Sequence, residues 1–122
     1  MLDKIEYRED GVLVVFSGVV TSEELVSANT EVLRHLAQSP YRYQIFAFLD
    51  VENFIVSAEE MRYVAMQDIA AFKEHPIQKV ATVSKSQLVY GIARMYDAFS
   101  CHSTAETQIF EELEDAERWV NS

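Results

Sequence analysis

Tyr43-Gln44-Ile45-Phe46-Ala47-Phe48-Leu49-Asp50 contains five apolar residues in an unbroken row, Ile45 to Leu49, closed by an acid. The run is too short for a free-standing helix and is rich in Phe, so it reads as a strand covered on both faces. A strand of that kind belongs in the middle of a sheet. Beyond it, Val51-Glu52-Asn53-Phe54-Ile55-Val56 reads as a short loop that Ser57 closes at the start of a helix.

On the N-terminal side, Leu2 to Arg8 sets Asp3, Ile5 and Tyr7 against Lys4, Glu6 and Arg8, the alternation of an edge strand with one wet face. Glu9-Asp10-Gly11 supplies an Asp-Gly turn into the apolar Val12 to Phe16, which predicts an antiparallel hairpin whose second strand ends at Gly18. Thr21-Ser22-Glu23-Glu24 then has the spacing of a capping box. Leu25, Ala28, Val32, Leu33 and Leu36 follow as one apolar stripe that stops before Ser39-Pro40.

The same signals recur after the central strand. Ser57-Ala58-Glu59-Glu60 repeats the capping box, Val56 and Met61 form a hydrophobic staple, and Met61, Val64, Ala65, Ile69 and Phe72 form a buried face up to His75-Pro76. Val80 to Val83 is a short β-branched strand. The third helix, with Leu88, Val89, Ile92, Ala93, Met95, Tyr96 and Phe99, is apolar over more than one face. Gly91 inside it costs about 1 kcal/mol of helix propensity and points to a close backbone approach. Thr107 to Phe110 is a last strand. Glu111 to Val120 is a last helix with acids at its positive end.

This order, ββαβαβαβα, predicts an α/β fold: a mixed, mostly parallel five-stranded sheet with four helices, in one domain over residues 1–122. Hydrophobic residues are 49% and charged residues 25%, values of a globular chain. Acids outnumber bases 20 to 10, and the bases are scattered singly, which argues against nucleic acid and anionic membrane surfaces as partners. The single cysteine, Cys101, points to a reducing compartment, and no signal-peptide core or long apolar run is present. The expectation is a cytoplasmic protein with no membrane insertion.

Several segments together resemble the SpoIIAA-like group of STAS-related proteins. They are Gly18 to Glu24 before the first helix, the Phe48-Leu49-Asp50 strand end, Tyr90 to Tyr96, and Phe110 to Val120, and the likeness spans residues 3 to 120. The resemblance implies a small cytoplasmic α/β domain related to the anti-sigma-factor antagonists and, through them, to the lipid-binding CRAL-TRIO fold. In the antagonists an Asp-Ser-Ser-Gly motif carries the phosphorylated serine. Here Asp50 matches the Asp, but Val51-Glu52-Asn53 follows it.

Candidate site residues come from position and chemistry. Asp50 ends a strand at the sheet's carboxyl edge, where open α/β sheets hold ligands, although an isolated acid there also serves as a turn residue. Ser57 reads as an N-cap; a phosphate on it would meet free amides. Lys85, Tyr90 and Arg94 surround the start of the third helix, where they can grip an anion or, more plainly, pair with neighbouring acids. Phe54 and Ile55 are apolar in a loop, so they fold back as core, cover a cavity or centre an interface. His35, His75 and His102 lie far apart and outside metal-ligand spacing of one another and of Cys101, and the neighbours Cys101 and His102 do not form a catalytic pair.

Three functions are consistent with this. The leading one is a non-catalytic regulatory or protein-interaction module, a homodimer, using residues 50–57 and the third helix, where Tyr90, Met95 and Phe99 extend the apolar surface. The alternative is a carrier of a small apolar or lipid-like ligand, with Phe54, Ile55, Met95 and Phe99 lining a cavity and Arg94 or Lys85 holding an anionic head. An enzyme using Asp50 with Tyr90 or Arg94 is remote. No cofactor is implied, since no phosphate loop or dinucleotide fingerprint occurs.

Overall fold

The computed structural model describes residues 1–100 and 103–122, so the readings made on Cys101 and His102 lie outside the described residues. The elements are β1 (Leu2–Tyr7), β2 (Gly11–Thr21), α1 (Ser22–Gln38), β3 (Tyr43–Ile55), α2 (Ala58–Glu74), β4 (Lys79–Val83), α3 (Gln87–Phe99), β5 (Glu106–Phe110) and α4 (Leu113–Val120). The strands lie side by side in chain order as one five-stranded sheet, β1 antiparallel to β2 and each later pair parallel. This is the expected α/β fold with β3 at its centre.

Crossovers of one hand between strands in this order leave their helices on one side. Accordingly α1, α2 and α3 share a core with Val12, Val14, Phe16, Phe46 and Phe48, while α4 covers the opposite face over Leu13, Val15, Ile45, Ala47 and Val83. Alternation along β3 does the sorting. The β1 register pairs Lys4 with Val15 and Glu6 with Leu13, placing the charged set on the α4 side, and pairs Ile5 with Val14 on the other. Both capping boxes form, at Thr21 with Glu24 and at Ser57 with Glu60.

Five expectations need correction. Gly18 does not end β2 and Asp50 does not end β3. Both adopt left-handed backbone, φ 61° and 54°, beside a bulge where Gly18 pairs with Val51. Glycine has no Cβ to clash there, and Asp is among the few other residues that tolerate that region. The two strands kink together and continue as a ribbon, Val19 to Thr21 beside Asn53 to Ile55.

Phe54 and Ile55 are therefore strand rather than loop. Phe54 turns back to the core, edge-on to Phe48 with ring centroids 5.3 Å apart, whereas Ile55 is 57% exposed. On α2, Ile69 is half-buried and the inward slot belongs to Asp68, because the stripe through Met61, Val64, Ala65 and Phe72 passes through position 68. Gly91 meets no close backbone: a Cβ built there has nothing within 4 Å.

Candidate functional site

Two spaces lie against β3, one outside the carboxyl ends of the strands and one inside the core. The outer space is a cleft of about 550 Å³ lined by Phe48 to Val51, by Ser84 to Ser86 and by Glu111 to Leu113. It opens because β4 pairs with β3 only as far as Ala47 with Val83, while β3 runs on to Ile55. Its floor is tied down. The Ser84 amide donates to the Phe110 carbonyl (2.9 Å), Ser84 Oγ accepts from the Ser86 amide (3.0 Å), and Ser86 Oγ caps α3 by accepting from the Val89 amide (3.4 Å).

The charge in the cleft is mostly negative. Lys85 Nζ reaches Glu112 Oε1 at 3.0 Å, and that contact raises the lysine's pKa, with Glu111 and Asp50 adding smaller contributions. Lys85 is thus paired with Glu112 at the exposed mouth of the cleft. Tyr90 and Arg94 do not join it. They sit on the exposed face of α3, where Arg94 Nη1 donates to Tyr90 Oη at 3.3 Å. The expected anion-gripping corner of Lys85, Tyr90 and Arg94 is dispersed, because Arg94 lies about 12 Å along the helix axis from the Ser86 cap.

Ser57 is an N-cap in the structure. Its Oγ accepts from the Glu60 amide at 3.2 Å and its own amide donates to Glu60 Oε1 at 2.8 Å. Asp50 is exposed on the cleft wall at the strand kink.

The inner space is a cavity of about 50 Å³ between the sheet and the helices, bounded by Phe46, Phe48, Phe54, Met61, Val89 and Ile92 among others. The residues expected to line one cavity are not brought together. Phe54 lines it; Ile55 faces solvent, and Met95 and Phe99 are half-buried beside the core, with the Arg62 guanidinium 5.2 Å over the Phe99 ring. The space is about a third of a ~150 Å³ engineered cavity that takes benzene, too small for an acyl chain.

A polar network that the sequence reading passed over borders this cavity. Asp68 of α2 is 2% exposed; its Oδ1 accepts from Asn29 Nδ2 of α1 at 3.0 Å, and its Oδ2 accepts from the Tyr96 hydroxyl of α3. Burial pushes the Asp68 carboxyl up to about 6, against the opposing pull of these two bonds, and burial beside Asp68 also raises the Tyr96 phenol. One carboxylate therefore joins three helices. Its signal was present: Asn29 follows Ala28 on the α1 stripe, Asp68 continues the α2 stripe, and Gln44 shares the Phe46–Phe48 face. Scoring apolar residues alone skips polar ones that occupy core slots.

No protein-family model matches this chain. No curated protein matches it either. Among solved structures, it is similar to the anti-sigma factor antagonist SpoIIAA in its unphosphorylated form, at TM-score 0.68 and 8% identity over 100% of this chain and 99% of that one. It is also similar to an uncharacterized protein of the DUF3478 family with a SpoIIAA-like fold from Shewanella loihica, at TM-score 0.57 and 17% identity over 98% of this chain and 92% of that one. The chain has a SpoIIAA-like fold over its whole length.

Proposed function

We propose that this chain is a non-catalytic, cytoplasmic protein-interaction module of the STAS-like type, binding its partner along the β2–β3 ribbon and the cleft beneath it. The observation that carries this reading is the edge of β3 beyond Ala47, which has β2 on one side and no strand on the other among the described residues. An unpaired edge accepts an extended segment of another chain through main-chain hydrogen bonds, with side-chain pockets giving specificity. Val19, 44% exposed, and Ile55, 57% exposed, add apolar contacts at the ribbon's end.

The chemistry of the cleft fits a partner rather than a reaction. Lys85 is held by Glu112, and Asp50, Glu111 and Glu112 favour a basic segment. A homodimer is one form of the same reading: two such edges pair across a two-fold axis, and salt, by screening Asp50 and Glu52, strengthens it.

The test compares the wild type with a Val19→Asp/Ile55→Asp double variant, both positions being exposed. Affinity capture from source cells and sedimentation at micromolar concentration, each in low and high salt, are expected to show a complex that the variant loses at unchanged circular dichroism. A wild type that is monomeric in both salts and retains nothing the variant does not also retain would overturn the reading.

A further inference from the structure

The sheet has an edge strand at each side, and only one of them is defended. β1 carries Asp3, Lys4 and Glu6 and breaks its register with β2 between Leu2 and Lys4, so an incoming strand meets charges and a bulge there. β5, Glu106-Thr107-Gln108-Ile109-Phe110, pairs with β4 without a register shift, contains no proline, and is charged only at its first position. Among the described residues it is bonded on one side only, and every residue in it is exposed or half-buried.

The direction of its main-chain groups follows from its bonds to the sheet. The Glu106 amide donates to the Gln78 carbonyl at 2.9 Å, and the Phe110 carbonyl accepts from the Ser84 amide at 2.9 Å, so residues 106, 108 and 110 address β4. Groups alternate along a strand, which turns the amides and carbonyls of Thr107 and Ile109 outward. They meet no strand on that side among the described residues.

A second copy of the chain fits this edge by its own sequence. With a two-fold axis at Gln108 the strands run antiparallel, Thr107 faces Ile109 of the second copy, and each such pair exchanges both main-chain bonds. Every outward group is then used. An axis at Thr107 or at Ile109 matches that residue with itself and leaves the other facing residues outside the strand. The register centred on Gln108 also opposes two side-chain amides that can each donate and accept, and sets Glu106 against Phe110 and Glu111 against Ala105. In a chain with 20 acids and 10 bases, no acid on this edge meets an acid.

We infer that β5 is a self-association edge, through which a second copy of this chain adds antiparallel and the two sheets become one. It is a different contact from a dimer formed at the ribbon, since it leaves Val19 and Ile55 of each copy free. Sedimentation of the full chain over a range of micromolar concentrations tests it. The wild type is expected to show a monomer–dimer equilibrium that salt strengthens, because each copy carries a net charge of -10.

Gln108→Lys and Gln108→Glu, at an exposed position, set like charges face to face and are each expected to weaken the dimer about fivefold, whereas an equimolar mixture of the two restores it. Thr107→Pro removes an outward amide, leaves the bonds to β4 in place, and is expected to abolish the dimer. The Gln108 pair carries the test should the proline variant fail to fold. The Val19→Asp/Ile55→Asp variant is expected to dimerise as the wild type does. A wild type monomeric throughout, a mixture no tighter than either Gln108 variant alone, or a dimer lost in the ribbon variant but kept in the Gln108 and Thr107 variants would each overturn the assignment, and the last would move the dimer to the ribbon.

Discussion

The two faces of the sheet solve the same problem differently. Under α1, α2 and α3 the core contains a buried carboxylate, two buried amides and a cavity. Under α4 the interior is apolar, Leu13, Val15, Ile45, Ala47 and Val83 against Ala116 and Val120, and the polar contacts sit at its rim. There Arg8 Nη2 meets Glu117 at 2.8 Å, Lys79 Nζ meets the Trp119 carbonyl at 2.7 Å, and Arg42 Nη1 meets the Val120 carbonyl at 2.6 Å. Three helices that can slide along a greasy sheet need a bond fixing their register, and Asn29–Asp68–Tyr96 supplies one from each. A single short helix needs only to be held at its end.

If that difference is real, the largest effect comes from cutting the network. Asp68→Ala leaves the buried Tyr96 hydroxyl without its acceptor and takes one of two acceptors from Asn29 Nδ2, and is expected to cost about 3 kcal/mol in a denaturant melt. Asp68→Asn keeps the volume, accepts from Asn29, and can donate to Tyr96, so it retains most of that stability at neutral pH. The pair is also a titration test. With its carboxyl at about 6 in the fold against 3.8 ordinarily, Asp68 binds its proton more tightly folded than unfolded. Its contribution to stability is full below about 3.8 and is lost as pH rises through about 6. The half-buried Glu24 and Glu60, lowered first by bonds from the Leu2 amide and the Ser22 hydroxyl and then by their cap bonds, run the opposite way. Calorimetry from pH 7 to pH 4.5 is expected to show the wild type gaining roughly five degrees or more in Tm relative to Asp68→Asn. Parallel curves would remove Asp68 as the source and leave the two faces alike.

The glycines sharpen the contrast on a smaller scale. At Gly11, on the α4 side, a Cβ would lie 2.4 Å from the Tyr43 ring, which must move against a packed interior. Gly11→Ala is expected to cost about 2 kcal/mol. At Gly91, on the outer side of α3, nothing lies within 4 Å, and Gly91→Ala is expected to stabilise the protein by about 1 kcal/mol. Paired thermal melts of opposite sign meet the expectation; a destabilised Gly91→Ala would restore the close approach that the sequence had suggested.

What the chain reveals about itself depends on range. The capping boxes at Thr21 and Ser57 and the apolar run at Ile45 to Leu49 act through residues near in sequence, so they were legible and fixed the order of elements. The ribbon was not. Gly18 and Asp50 carry the same chemistry whether they end a strand or kink it, and the outcome depends on how two distant segments pair, with the extra residues of β3 falling opposite Gly18. Lys85 and Arg94 are close in sequence, yet helical rise separates them, and the partner Lys85 takes, Glu112, arrives from another element. Ser57 kept the cap role its spacing implied. Of the candidate site residues, Asp50 and Lys85 share the cleft, while Phe54 alone of the greasy set borders the cavity.

The smallest effect isolates the rim. α4 has eight residues and no side-chain cap at its start, so its hold is at the other end, where Arg42 and Lys79 bond the last carbonyls and match the negative end of the helix dipole. Arg42→Met keeps much of the aliphatic stem and removes the charge. It is expected to cost about 0.5 kcal/mol, read not in the global melt but as faster amide exchange in α4 at unchanged protection in α1 to α3. Salt should shrink the difference between wild type and variant, since the lost interaction is partly exposed. Exchange that quickens equally on both faces would mean that the two cores open as one unit, and the rim contacts would then stabilise the whole sheet rather than one helix.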